Sequence, residues 1–252
     1  MLSILIPIYN YNINCLVDDL NEQCAALKIK YEIILMDDNS EQMFQDVNQP
    51  VSKLSNIRYE VLSENVGRAV IRNKLAEASK FNTLIFLDCD ISIIQPDFVK
   101  SYLDASFESD VVVGGITYAD EPPPSQLFFR WYYGRKREVS TAAKRNKNPF
   151  KGFNTMSFCI QKSVFQTVKF DTDIFQYGHE DTLFGLELGR KGYFILHIDN
   201  PIQHDGLDTF DDFIDKTHKS LETLLQLHHQ EKGIETRLLK IFRRLNLSLI
   251  HI

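Results

Sequence analysis

The residues best suited to chemistry are acids placed where strands should end. Residues 84–90 read Leu-Ile-Phe-Leu-Asp-Cys-Asp, an apolar run followed by two carboxylates, Asp88 and Asp90, one residue apart. A short continuous apolar run suits a strand buried on both faces of a parallel sheet. In an open α/β sheet, ligands bind outside the carboxyl ends of such strands. Two carboxylates at this spacing can approach one hard cation or one polyol. Oxygen donors suit Mg²⁺ or Mn²⁺, which carboxylates commonly share with substrate phosphates. A solvated turn or helix cap also uses such acids, so the rest of the chain has to discriminate.

Similar polar residues recur behind other apolar runs: Asn10 after 2–8, Asp37 and Asp38 after 33–36, and Glu64 and Asn65 after 57–62. One such end would mean little, but four describe a composite polar cleft. Further on, Glu180 and Asp181 precede a helical pattern, where acids complement the helix dipole without any further role. His204, in Pro201-Ile-Gln-His-Asp-Gly206, reads on residue type alone as a structural or exposed histidine.

The elements that must position these groups alternate. Apolar strands are expected at 2–8, 33–36, 57–62, 84–87, 111–115, 157–160 and 193–198. Helices are expected at 66–80, from Pro96 to about 107, at 182–190 with Gly192 as the stop, and from 210. Strands interleaved with helices of this length predict an α/β fold with a doubly wound, mainly parallel sheet. Between 118 and 151 the character changes. Pro122-Pro123-Pro124 precedes Phe128-Phe129-Arg130-Trp131-Tyr132-Tyr133 and the cations Arg135, Lys136, Arg137, Lys144, Arg145 and Lys147. This segment reads either as a surface helix with a solvated basic face or as a lid with aromatics for an acceptor. At the C-terminus, Ile234, Leu238, Ile241 and Leu245 share a helical face near Arg237, Lys240, Arg243 and Arg244. Packing on the domain or a partner subunit is one reading; contact with an anionic membrane surface is the other.

The composition bounds the options. The chain has 252 residues, 44% hydrophobic and 25% charged, enough for one substantial core. A net charge of −6 gives no nucleic-acid signature. Four cysteines without C-x-x-C spacing suggest reduced thiols in a cytoplasmic protein. Residues 1–8 are too short for a membrane span and carry no basic leader, so the expected location is cytoplasmic, with the inner face of the membrane as its extension.

In this order the motifs resemble the family 2 glycosyltransferases, whose nucleotide-sugar-binding fold is GT-A. The resemblance rests on Ser3-Ile-Leu-Ile-Pro-Ile-Tyr-Asn10, Glu32-Ile-Ile-Leu-Met-Asp-Asp-Asn-Ser40, Asn65-Val-Gly-Arg68, Leu87-Asp-Cys-Asp90 and His179-Glu-Asp181. The later segment is also similar to the galactosyltransferase-type half of some members, where a Gly-x-Glu-Asp element precedes a helix. The resemblance implies a GT-A domain over 1–208 and a helical extension over 209–252. It also implies roles. Asp37 and Asp38 would contact the nucleobase, with Asn10 lining the base and ribose pocket. Gly67 would allow close approach of the nucleotide, while Arg68 and Arg72 would reach nucleotide or phosphate. Asp90 would ligate Mn²⁺ or Mg²⁺, with Asp88 near the ribose and the metal's hydration shell and His204 as a further ligand. Asp181 would be the catalytic base and Glu180 would orient the acceptor.

One base suffices for a single displacement, so the resemblance implies inversion at the anomeric carbon. The expected donor is a nucleotide-sugar, with UDP as its nucleotide, and the acceptor a glycan or lipid-linked sugar. The chain has no Gln-x-x-Arg-Trp element of processive synthases, which argues against a polymer-extruding enzyme. Two other readings remain. A sugar nucleotidyltransferase would need a Gly-rich basic loop after the first strand, where Tyr9-Asn10-Tyr11-Asn12 stands instead. A GT-A-like carbohydrate- or membrane-binding protein would bind without turnover. Oligomer formation is left open.

Overall fold

The computed structural model describes residues 1–174, 178–230, 233, 234, 236 and 238–241. Tyr177, Arg237, Arg243, Arg244 and Leu245 therefore lie outside the described residues. In chain order the elements are β1 (Leu2–Ile8), α1 (Asn14–Ala26), β2 (Tyr31–Asp37), α2 (Gln42–Asn48), β3 (Ile57–Val61), α3 (Arg68–Ala78), β4 (Thr83–Leu87) and β5 (Ile91–Ile93). Next come α4 (Phe98–Ala105), β6 (Val111–Val113), β7 (Ile116–Thr117), α5 (Phe128–Arg137), α6 (Ala142–Arg145), β8 (Ser157–Gln161) and α7 (Lys162–Thr167). The last are α8 (Glu180–Arg190), β9 (Ile195–His197), β10 (Ile202–His204) and α9 (Phe210–His229).

Seven strands form one sheet in the order β3-β2-β1-β4-β8-β6-β9. The β3-β2-β1-β4 ladders and β6-β9 run parallel, whereas β8 runs antiparallel to both neighbours. The mainly parallel α/β sheet expected from the sequence is thus present. Strands β1, β2 and β4 are apolar on both faces because both faces are covered, whereas the edge strand β3 is largely exposed. Ile4, Ile6, Ile33, Leu35 and Ile85 pack with Leu16, Val17 and Leu20 of α1 and Phe98, Val99 and Tyr102 of α4. Leu5, Ile34, Leu84 and Phe86 pack oppositely, with Ile71 and Leu75 of α3, Phe165 of α7, and Phe184 and Leu188 of α8.

A second, small sheet was not legible in the sequence. It has the order β5-β10-β7, with β10 antiparallel to β5 and parallel to β7. Its register pairs His204 with Ile91, the residue after Asp90. A three-residue strand carries too little pattern to stand out alone, and only its partners identify it.

Helix α5 is turned inside out. Arg130 and Gly134 are buried, while Phe128, Phe129, Tyr132 and Tyr133 are 44%, 41%, 50% and 39% exposed. Gly134 is required by packing, because a Cβ there would lie 2.2 Å from the Tyr118 ring. The outward aromatics support one another laterally: Phe129 on Phe210 and Phe213 of α9, Tyr133 on Phe213, and Phe128 on Tyr132. Helix α9 is capped by Thr209, whose hydroxyl accepts the Asp212 N–H. Its other end packs Leu224 and Leu227 with Leu183 of α8, Ile234 and Leu239. Among the described residues, no helix is long and apolar enough to cross a membrane.

Candidate active site

The polar residues at the carboxyl ends of β1, β2 and β4 do converge, and most are bonded into the walls of the cleft. Asp37 has no exposed surface; its carboxylate accepts the Ser40 N–H at 2.7 Å and the Tyr59 hydroxyl at 2.8 Å. Asp38 accepts the N–H groups of Val66 at 2.7 Å and Gly67 at 2.9 Å, so it holds the loop that starts α3. Burial raises its pKa, against the two amide bonds that lower it. Asn10 takes a left-handed conformation with φ 51°, and its amide oxygen accepts the Glu41 N–H at 2.8 Å. Gly67 has φ 80° at the entry to α3, where a Cβ would meet no atom but would strain the backbone. Tyr59 and Val66, missed from the sequence, complete this side through their bonds to the two acids.

Arg72 ties the pieces together. Its side chain is 2% exposed, and Nη2 donates to Asp88 Oδ1 at 2.6 Å. Nη1 lies 3.7 Å from Glu180 Oε1, and the guanidinium stands over the Phe170 ring at 5.6 Å. Arg68, one turn earlier and half-exposed, approaches the same Glu180 oxygen at 3.9 Å. The end of β4, the start of α3 and the start of α8 are therefore joined by charge. Between α3 and α8 lies a cleft of about 320 Å³, lined by Gly67, Arg68, Ala69, Thr172, Gly178 and Glu180.

Helix α8 begins at Glu180, two residues earlier than expected, so both acids occupy its first turn. His179 turns the chain into it with φ 66°. Asp181 Oδ1 accepts the Thr182 N–H at 2.6 Å. Burial and the neighbouring Glu180 charge push the Asp181 pKa up to about 6, more than the Thr182 bonds pull it down. Such a carboxyl is poised to exchange a proton near neutral pH.

Asp90 faces the small sheet. Asp90 Oδ2 and His204 Nε2 are 3.5 Å apart, longer than a direct hydrogen bond. Burial alone would raise the Asp90 pKa, but the His204 contact and the Arg68 charge together carry it below the usual carboxylate range. The N–H groups of Asp205 and Gly206 donate to the Asp90 carbonyl at 2.9 and 3.2 Å. A Cβ at Gly206 would fall 2.1 Å from Asp90 Oδ2, so only glycine leaves room for this carboxylate. Behind His204, which is 8% exposed, stand Tyr118, Arg130 and Glu138, none of them singled out by the sequence. An inward arginine on an aromatic helix was the available signal.

Residues 3–168 match glycosyl transferase family 2, well over half of the chain, and the chain belongs to that family. Chondroitin synthase of Escherichia coli is 26% identical over 237 residues, covering 81% of this chain and 34% of the synthase. The chain spans about a third of that relative's length. Two solved structures share the fold. S. aureus TarS 1–349 in complex with UDP aligns with a TM-score of 0.56 at 19% identity, over 89% of this chain and 65% of that one. The mannosyltransferase PcManGT from Pyrobaculum calidifontis, in complex with GDP-Man and Mn²⁺, gives 0.59 at 14% identity, over 81% and 56%. The GT-A architecture expected from the sequence is thereby shown. The family match stops at residue 168, before Glu180, Asp181 and His204.

Proposed function

We propose that the chain is an inverting, divalent-cation-dependent glycosyltransferase. It would move a sugar from a UDP-sugar to the hydroxyl of a glycan or lipid-linked acceptor in surface polysaccharide or glycoconjugate synthesis. The observation that carries this reading is the Arg72 bridge from Asp88 to Glu180, which joins the strand-end acids to the acids of α8. Asp38, slightly exposed beside the Gly67 loop, is the better placed of its pair to accept uracil N3–H, since each carboxylate oxygen keeps a second lone pair. Arg68, at the mouth of the cleft, would take phosphate charge. Asp181 would accept the acceptor proton as the new bond forms, and Glu180, fixed by two arginines, would orient that hydroxyl.

The donor set suits a hard cation. The Asp90 carboxylate and the His204 imidazole face each other across a gap too wide for a good hydrogen bond, and Gly206 keeps the carboxylate's place clear. Among the described residues no three acids, histidines or cysteines converge, so donor oxygens would complete the shell around Mn²⁺ or Mg²⁺, as is common for cations shared with phosphates. A bound cation would stabilise negative charge growing on the leaving diphosphate. Asp88, already paired with Arg72, would act beside the ribose.

The test is UDP release from a panel of UDP-sugars with Mn²⁺ or Mg²⁺, followed by acceptor screening. Neither divalent-dependent donor binding nor turnover on any donor would sink the proposal. The reaction would run on the cytoplasmic side, with the terminal segment 234–252 touching the membrane. Liposome co-sedimentation that survives deletion of 234–252 would remove that contact.

A further inference from the structure

Strand β3 ends one side of the large sheet, and its free edge carries a self-complementary pattern. The parallel ladder pairs Ile33 with Ile57, Leu35 with Tyr59 and Asp37 with Val61. The Asn56 carbonyl accepts the Ile33 N–H at 2.8 Å, and the Leu62 N–H donates to the Asp37 carbonyl at 2.9 Å. Backbone alternation then turns the N–H and C=O groups of Arg58 and Glu60 toward β2, and those of Tyr59 and Val61 away from it. Beyond β3 the sheet has no further strand among the described residues. Arg58, Glu60 and Val61 are exposed along this edge. An unpaired strand edge is a template for another chain unless charge or shape blocks it.

We infer that the β3 edge is a homodimer surface, on which a second copy of this chain pairs antiparallel about a two-fold axis at Tyr59. Charge selects both the occupant and the register. Arg58 and Glu60 lie two residues apart on the sheet face that carries Ile34 and Met36. Pairing centred on Tyr59 sets each Arg58 directly opposite the partner's Glu60. Sliding by two residues is the smallest shift that keeps outward backbone groups facing each other. It would set Arg58 against Arg58, or Glu60 against Glu60, and directly opposed like charges are destabilising. In the favoured register Tyr59 exchanges both backbone bonds with the partner's Tyr59, and the Val61 N–H meets the carbonyl of the partner's Ile57. Arg58 Nη2 already donates to the Ala78 carbonyl at 3.1 Å, which leaves Nη1 and Nε for a carboxylate. The rival role of these charges is to blunt the edge and keep the chain monomeric. A pair of like charges would do that, whereas a plus–minus pair ordered for a two-fold axis attracts its own copy. The strand contact is short, so the dimer should depend on protein concentration.

The experiment is sedimentation velocity of the full chain over a range of protein concentrations, beside Arg58→Glu, Glu60→Arg and the double variant. The unmodified chain should dimerise as concentration rises. Each single reversal sets like charges opposite each other twice and should weaken the dimer by about tenfold or more. The double variant restores opposite pairs and should dimerise like the unmodified chain. An equimolar mixture of the two single variants should dimerise where neither does alone, because every facing pair is then opposite in sign. Recovery on mixing separates lost pairing from lost folding. Backbone hydrogen exchange at Tyr59 and Val61 reads the new bonds in the unmodified chain, and protection there should rise with concentration. A monomer at every concentration overturns the inference. So do exchange at Tyr59 and Val61 that ignores concentration, single reversals that dimerise normally, and a mixture that stays monomeric.

Discussion

Asp88 and Asp90 stand one residue apart and are held in opposite ways. Asp88 lies 2.6 Å from the guanidinium of a nearly inaccessible arginine, Arg72. Asp90 lies 3.5 Å from an imidazole, with room left around its oxygen by Gly206. The first acid is neutralised in place and fixes the relation between β4, α3 and α8. The second retains unused donor capacity on the side of the small sheet. Acids one residue apart can therefore be held differently, one by an arginine and the other beside an imidazole, according to the partner that tertiary packing supplies.

The largest expected effect lies beyond both. Asp181→Asn should lower turnover by about 10²–10⁴-fold while leaving donor affinity nearly unchanged. Lost donor binding, measured by titration with UDP-sugar, would move Asp181 to the donor side. The raised pKa adds a pH signature. With Asp181 as the proposed base, kcat/KM should fall about tenfold per unit below about 6 as the carboxyl protonates. The same shift means that ionisation opposes folding, so its contribution to stability is lost as pH rises between the unfolded value and about 6. Asp181→Asn should consequently melt no lower than the unmodified chain at neutral pH.

Arg72→Met tests the fixed side. Removing the cation leaves Asp88 without its 2.6 Å partner and Glu180 with only the half-exposed Arg68, with an expected cost of about 3–5 kcal/mol in urea unfolding. A loss well under that would show that the bridge is not what joins the two halves. Metal titration tests the contrast directly. Asp90→Ala should weaken Mn²⁺ binding by roughly 100-fold, and Asp88→Asn by no more than about tenfold. Equal losses would break the distinction. The smallest effect is expected at Gly67→Ala, where the added Cβ meets nothing and only the positive-φ, extended backbone is strained, at about 1–3 kcal/mol by thermal melt.

The legible part of the molecule is its first ninety or so residues and the helices that cover them. Strands β1, β2 and β4 are buried on both faces, so their sequences are continuous apolar runs, and the first polar residues after each run mark a strand end. That pattern exposes Asp37, Asp38, Asp88 and Asp90. The second half was legible in its longer pieces, α8 and α9. It was obscure at β5, β7 and β10, which are two or three residues long and gain identity only by pairing. The segment 118–151 left two readings open because helical periodicity does not say which face is inward. Aromatics would ordinarily be placed inside, and the buried Arg130 with Glu138 reverses that.

By itself, then, the sequence determined the alternation of buried strands and helices, the acids at the strand ends and the first turn of α8. These arise from local runs and periods that solvent exclusion imposes on contiguous residues. Only the tertiary structure decided that Arg72 would join Asp88 to Glu180, that His204 would lie against Asp90, and that Tyr118, Arg130 and Glu138 would stand behind it. Those pairings link residues 16 to 114 positions apart. A desolvated charge or hydrogen bond must be matched by whatever group the folded chain brings near, and no local pattern records which group that will be.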